Sequence, residues 1–346
     1  MEICVLGAGY MGSALAVIAA ARGHRVRLWG TWLDDALVAA CSRGEAHPRL
    51  RMPLPSGIEV LPGAELDRAL RDVEAVVCAV NSDGVLPVLD RALAHLPAEG
   101  PWLSVTKGFI PDDSGAMQRI STVVTARLRA AGRSRPFVHI GGPCKAMEVA
   151  RGVATSVVWA SEDAALLARW ADALESPSYT ISRSDDLAGA ETCSAFKNAY
   201  ATASGLCDGL QKHGHPEMHN TKALLFTQAV QEIVRMVAAM GGRRETALGL
   251  CGMGDLHVTA AAGRNRAYGE RVGQGEAPDK VAAEMAATGE LTEGYPALRT
   301  GWQLLQQRIA SHELRLLDFP LLQALHRIVY CSAPVATTLL GLRVRT

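Results

Sequence analysis

Short apolar runs alternate with alanine- and leucine-rich stretches from residue 1 to about residue 180. EICVLG, HRVRLWG, AVVCAV, PWLSVT, FVHIGG and ATSVVWA have the length and β-branched content of strands, and the segments between them have the length of helices. Unbroken apolar strands alternating with helices predict a parallel sheet covered on both faces. After about Leu187 the strand signals stop. Stretches such as TKALLFTQAVQEIVRMVAAMGG and PLLQALHRIVYC carry helical spacing punctuated by glycine. The expected fold is therefore α/β, a doubly wound parallel sheet over residues 1–186 followed by an all-helical domain over residues 187–346. Between about Cys41 and Pro62 the chain is rich in Pro, Gly and Arg, which predicts an irregular excursion beside the sheet, with or without a role.

The first strand runs directly into Gly7-Ala8-Gly9-Tyr10-Met11-Gly12, which opens a helix expected from Tyr10 to about Ala21 and ended by Gly23. A glycine triplet placed between strand and helix is the Rossmann-type dinucleotide signature. Gly7 permits the tight turn, Gly9 lets the backbone approach a pyrophosphate, and Gly12 lets helix and strand pack closely. The helix N-terminus faces the phosphates. The second strand, His24 to Trp29, leads to Gly30, Thr31 and Trp32 where an acidic residue would select NAD, and Asp34 and Asp35 come late. The cofactor expectation is thus NAD or NADP, unresolved. Arg22 and Arg25 are candidates for a 2′-phosphate or plain solvated charges.

Composition narrows the classes. With 346 residues, 49% of them hydrophobic, the chain can bury two cores. Lys plus Arg (35) equal Asp plus Glu (35), which argues against nucleic acid as a partner and makes any anion site local. The eight cysteines are scattered without a C-x-x-C pair and read as free thiols in a reducing cytoplasm. No targeting segment and no membrane span are expected. His213 and His215 sit in a loop-like stretch, G-x-S-x-G and H-E-x-x-H are missing, and no metal is called for.

Further segments follow in order: SVTKGF (104–109), GGPCKAMEVA (141–150), CSAFKNAYATASGLCDGL (193–210), GLCGMGDLHVTAAAGRNRAYGERVGQG (249–275) and LTEGYPAL (291–298). Together with the glycine turn, this series resembles the NAD(P)-dependent glycerol-3-phosphate dehydrogenase family over nearly the whole chain. The resemblance implies interconversion of dihydroxyacetone phosphate and sn-glycerol 3-phosphate with NAD(P)H, supplying glycerol 3-phosphate for phospholipid synthesis, and a homodimer. Reduction of another small phosphorylated or phosphonylated ketone, and a non-catalytic dinucleotide sensor, are the alternatives.

Hydride delivery to a ketone leaves negative charge on its oxygen, so the reaction needs a proton donor and fixed positive charge there. Lys197, a charge among small and apolar residues, offers both and resembles the family's proton-transferring lysine, with Asn198 as its partner residue. Lys107 follows an apolar strand, at the sheet edge where ligands bind, and resembles the lysine touching substrate and cofactor. Arg264 and Asn265, after Gly263 and before a helix, resemble the phosphate-binding pair, Arg264 also reaching the cofactor. Asp255, presented by Gly252 and Gly254, is expected either to orient Lys197 or a substrate hydroxyl, or to act as a plain N-cap. Thr259 resembles an additional polar contact to substrate. For the cofactor the resemblance adds Tyr10, Met11, Ala146, Leu291 and Glu293 to the glycines.

The resemblance departs at Gly142-Pro143-Cys144, where the family commonly has Gly-Pro-Ser, and at Lys145, either a cation for the phosphate or an outward lysine. Gly142 and Cys144 remain expected substrate contacts. The loop before Arg264 is short, as in a subgroup of the family, and Met218-His219-Asn220-Thr221-Lys222 replaces the usual Gly-Asp-Asn-x-Lys.

Overall fold

The computed structural model describes residues 1–342. The chain divides into two compact units, Met1–Lys107 with Ile120–Leu187, and Gly108–Arg119 with Ala188–Thr346.

In the first unit, β1 (Glu2–Leu6), β2 (Arg25–Trp29), β3 (Ile58–Leu61), β4 (Ala75–Cys78) and β5 (Trp102–Ser104) are joined by three more strands beyond a hairpin of the other unit, β6 (Phe109–Pro111) and β7 (Met117–Arg119). The three are β8 (Phe137–Gly141), β9 (Thr155–Ala160) and β10 (Tyr179–Ser184), and the sheet order is β10-β9-β8-β5-β4-β1-β2-β3. Neighbours pair in parallel, as the apolar runs predict, with β8 and β9 the antiparallel exception. Between β8 and β9 lies the five-residue helix Ala146–Ala150, and between the parallel β9 and β10 the eleven-residue helix Ala164–Leu174.

Helix Tyr10–Ala21 packs Ala14, Ala16 and Ala19 into a core that includes Leu103, Trp159 and Trp170, its small side chains allowing close approach to the sheet. Each fully buried large side chain stabilises the fold by about 1.5–3 kcal/mol. Gly23, in the left-handed region at φ 80°, ends the helix turn before β2.

The second unit is built on the 26-residue helix Leu187–Lys212 and the 21-residue helix His219–Ala239. Gly205 and Gly209 of the first face Gly269 and Gly273 of helix Arg264–Gly273 so closely that a methyl group on Gly205 would lie 2.0 Å from the Arg266 carbonyl oxygen. Glycine at these four positions lets two backbones touch, which sets helix Arg264–Gly273 against the helix bearing Lys197. Tyr200 donates to the buried Glu232 carboxylate at 2.7 Å, and the same carboxylate accepts from Leu321 N (2.7 Å) and Leu322 N (2.9 Å), closing the start of helix Pro320–Tyr330.

The β6–β7 hairpin also belongs to this unit, so a single cut at residue 186 does not describe residues 108–119. Phe109 meets the Phe196 ring edge-on at 5.4 Å, and Arg119 pairs with the buried Glu191 at 3.2 Å.

Candidate functional site

The glycine turn is built as the residue types require. Gly7 has φ 112° and donates to the Trp29 carbonyl at 2.9 Å, and a methyl group on Gly12 would lie 2.0 Å from the Gly7 carbonyl oxygen. Gly9 caps helix Tyr10–Ala21 with no side-chain hydrogen bond, and the first turn holds no acidic residue. An added Cβ on Gly9 meets one group within 4 Å, the Arg49 guanidinium at 3.1 Å. A helix N-terminus with neither capping side chain nor acid, behind a backbone that a side chain would obstruct, fits a dinucleotide pyrophosphate. Tyr10 and Met11 form the first turn, both half-buried.

Lys107 follows β5 by three residues at the carboxyl edge of the parallel strands. There the Thr106 hydroxyl donates to the Val80 carbonyl at 2.8 Å, tying the β5 turn to the β4 turn. Gly142, at φ 101°, turns the chain after β8 against Val157. Cys144 packs its thiol 3.8 Å from the Met11 sulfur, alongside the glycine turn, and Ala146 opens the helix beyond it. Lys145 lies 3.9 Å from Glu148 of its own helix, a solvent-facing pair. Arg22 and Arg25 are at the other end of β2. Arg22 reaches the Ala173 carbonyl, and exposed Arg25 pairs with Glu2, so both are helix-end and strand-start charges.

In the helical unit, Lys197 is 6% exposed and Asp255 1%. The Lys197 ammonium donates to Asp255 Oδ1 at 2.7 Å and to Thr259 Oγ1 at 2.8 Å, and the Thr259 hydroxyl in turn donates to the Asp255 carbonyl at 2.7 Å. Helix Asp255–Ala261 starts after a π-helical turn, Leu250–Gly254, in which a methyl group on Gly252 would strike the Ala247 carbonyl at 2.0 Å. Its N-cap is Gly254, which leaves the Asp255 carboxylate for Lys197 rather than for capping.

Beside this triad runs a second network. Asn198 Nδ2 donates to Glu293 Oε2 at 2.7 Å, and Asn265 Nδ2 donates to Asn198 Oδ1 at 3.0 Å. Asn265 Oδ1 accepts from Thr292 Oγ1 at 3.1 Å and Gly294 N at 2.8 Å, so the Asn265 amide braces the 292–294 turn. Arg264 lies 3.7 Å from Glu293 across a solvent-facing contact. Gly263, at φ 128°, precedes helix Arg264–Gly273, which has no side-chain cap and no acid in its first turn. That helix end offers backbone N–H groups and a guanidinium to an anion. Leu291 is exposed next to the network.

Four side chains here were not anticipated. Arg49 and His47 lie in the irregular 41–62 excursion, where no local pattern distinguishes them. Tyr200 and Glu232 join two helices through residues that read as ordinary amphipathic positions. No group of three or more His, Cys, Asp or Glu among the described residues is arranged to hold a metal ion.

A Rossmann-type glycine turn in one unit and a buried lysine–carboxylate pair in a helical second unit define the class, a nicotinamide dinucleotide-dependent oxidoreductase. The chain belongs to the NAD-dependent glycerol-3-phosphate dehydrogenase family: it matches the N-terminal model of that family over residues 2–167 and the C-terminal model over residues 186–339. It is 34% identical over 345 residues to the NADP(+)-dependent glycerol-3-phosphate dehydrogenase of Archaeoglobus fulgidus, covering 99% of both chains. It is 36% identical over 338 residues to the glycerol-3-phosphate dehydrogenase [NAD(P)+] of Thiobacillus denitrificans, covering 97% of this chain and 95% of that one. Among solved structures, the glycerol-3-phosphate dehydrogenase of Coxiella burnetii is similar at a TM-score of 0.86, with 28% identity and 99% of each chain covered. The family's cofactor is NAD or NADP. None of the described helices is long and apolar enough to cross a membrane.

Proposed function

We propose that this chain interconverts dihydroxyacetone phosphate and sn-glycerol 3-phosphate, with Lys197 as its proton-transferring group. The observation that carries this reading is the buried Lys197–Asp255–Thr259 triad, in a chain whose full-length relatives carry that activity in their names. The nicotinamide, when bound, supplies or accepts the hydride. Asp255 and Thr259 each accept a hydrogen bond from the Lys197 ammonium, which fixes its direction, and the reading assigns an N–H of this ammonium to the substrate oxygen. In the reductive direction that N–H neutralises the oxygen as charge grows on it, and in the oxidative direction the amine takes the hydroxyl proton.

Arg264, with the Gly263–Asn265 backbone at the helix start, binds the substrate phosphate, and Lys107 contacts substrate and cofactor. Asn198 and Asn265 set the position of Glu293, which reaches the cofactor beside Leu291 and Arg264. Gly7, Gly9, Tyr10, Met11, Gly12 and Ala146 line the cofactor, and Gly142 contributes its backbone to the substrate. Cys144 serves the substrate only through its backbone, because its thiol packs on Met11. Glycerol 3-phosphate for phospholipid synthesis, a homodimer and a reducing cytoplasmic setting belong to the same reading, the last supported by eight free thiols.

The test is oxidation of NADH and of NADPH by the purified protein with dihydroxyacetone phosphate, compared with unphosphorylated dihydroxyacetone and a panel of phosphorylated ketones. The reading requires dihydroxyacetone phosphate to give the highest kcat/KM. A better ketone overturns the substrate, and binding of cofactor without turnover of any ketone turns the chain into a sensor.

A further inference from the structure

The end of β2 is where a dinucleotide site distinguishes its cofactors, an acidic side chain meeting a ribose 2′-hydroxyl and a cation meeting a 2′-phosphate. In this chain the first carboxylate after β2 is turned inward. Asp34 Oδ2 accepts from Thr31 N at 3.0 Å and from Thr31 Oγ1 at 2.8 Å, and its Oδ1 faces Arg49 Nη2 at 3.5 Å. The Asp34 side chain is 8% exposed, the Arg49 side chain 37%. A ribose hydroxyl arriving here meets the guanidinium in place of an open carboxylate.

Arg49 is held in this position by its own loop. His47 N donates to the Met52 carbonyl at 2.9 Å and Arg51 N to the His47 carbonyl at 2.8 Å, closing a turn around Arg49. The buried His47 ring accepts at Nδ1 from Arg49 N (3.2 Å) and Leu50 N (3.1 Å), while Nε2 lies 2.9 Å from Ser13 Oγ and 3.1 Å from the Ala8 carbonyl. Two backbone donors at Nδ1 place the ring proton on Nε2, so His47 fastens the loop to the glycine turn. The Arg49 guanidinium consequently spans from the Tyr10 ring, 5.9 Å from its centroid, and the Gly9 backbone to Asp34 at the strand end.

We propose that Arg49 binds the 2′-phosphate of the adenosine ribose and makes this chain prefer NADP(H) to NAD(H), an inference that rests on the dinucleotide reading of the glycine turn. A guanidinium meets a phosphate with two parallel N–H donors, and the phosphate dianion displaces the longer contact to Asp34, whose Oδ2 keeps both its donors from Thr31. A further cation near the end of β2 is Arg91, whose guanidinium lies over the Trp32 ring at 4.0 Å from its centroid.

The test measures binding, independent of turnover. Full-length protein is titrated with NADPH and NADH by cofactor fluorescence, and with adenosine 2′,5′-bisphosphate and 5′-AMP as fragments without nicotinamide. Wild type is expected to bind NADPH at least about tenfold more tightly than NADH, and Arg49→Ala to weaken NADPH about 10- to 100-fold while changing NADH less than about threefold. The two fragments should follow NADPH and NADH respectively, and unchanged NADH binding shows that the variant is folded. Arg49→Lys, which keeps the charge and loses the fork, should fall between, and it carries the test if the alanine variant does not fold. Equal losses for both cofactors place Arg49 on the shared pyrophosphate and overturn the proposal. It is also overturned by unchanged NADPH binding, or by loss of the preference in Arg91→Ala instead. If wild type binds neither cofactor, the dinucleotide reading itself fails, whereas tight binding of both with no role for Arg49 removes only this inference.

Discussion

The Lys197 ammonium stands 2.7 Å from the Asp255 carboxylate, and both groups are almost fully buried. Each charge makes the other tolerable, since removing one partner of a buried pair strands the other at a cost of about 3–5 kcal/mol. Lys197→Ala is therefore expected to lower kcat by about 10² to 10⁴ with cofactor binding retained, and also to lower Tm. Asp255→Asn keeps the shape and a hydrogen-bonding side chain, so it should lower kcat with a smaller loss of Tm. Turnover by Lys197→Ala within a few fold of wild type would remove the lysine from the mechanism.

Arg264 acts differently. Its pair with Glu293 is solvent-facing and contributes little by itself. A charge-assisted hydrogen bond of about 1.5–3 kcal/mol corresponds to roughly 10- to 150-fold in kcat/KM. Arg264→Ala should lose that factor mostly in KM for dihydroxyacetone phosphate, and the preference for phosphorylated over unphosphorylated ketone should shrink equally. An unchanged preference would assign the phosphate to other groups.

Glu232 links three elements through one carboxylate, accepting from Tyr200, Gln228 and the backbone of Leu321 and Leu322. Tyr200 is one turn beyond Lys197 on the same helix. Glu232→Ala leaves these buried donors without an acceptor, at about 1–3 kcal/mol for each one unsatisfied. The expected result in denaturant titration is a loss of about 3 kcal/mol or more, with the m-value preserved. A change under about 1 kcal/mol would mean that the donors find other partners.

The legible parts of this molecule are those set by short-range chemistry. Unbroken apolar runs marked β1, β2, β4, β5, β8 and β9, and the glycine spacing marked the turn whose methyl-free backbone the structure displays. Of the eight-stranded sheet, β3 and β10 escaped notice; they are edge strands with alternating or polar faces, IEVL and YTISRS, and lack the continuous hydrophobicity of a buried strand, and the short β6–β7 hairpin was not marked either. The residues of β8 and β9 carry no local mark of their antiparallel joint. Lys197, Asp255 and Thr259 were each legible from their segments, but 58 residues separate lysine from aspartate, and only the folded chain brings Nζ to the carboxylate. Arg49 was illegible for the same reason. Nothing local marks an arginine in a Pro- and Arg-rich loop as the one that a buried histidine holds over the glycine turn.

That histidine gives the fold a pH dependence. Burial is the main cause holding the His47 pKa below the usual histidine range, opposed by the Ala8 carbonyl and Asp34 and reinforced by the neighbouring Arg49 cation. In the unfolded chain the ring takes up a proton below about pH 6.5, while the folded ring, whose Nδ1 is occupied by two backbone N–H groups, resists it. The unfolded state thus binds more protons in this window, so stability is full above about pH 6.5 and falls as pH drops through the folded pKa, by at most about 1.4 kcal/mol per pH unit. His326, also held low by burial, adds a slope of the same sign, so the decisive quantity is a difference between proteins. Denaturant midpoints of wild type and His47→Gln are measured from about pH 7.5 to 5. Wild type is expected to lose stability more steeply with acidification than the variant, although the variant starts lower at neutral pH. Parallel profiles for the two proteins would show that His47 takes up its proton equally in the folded and unfolded chain.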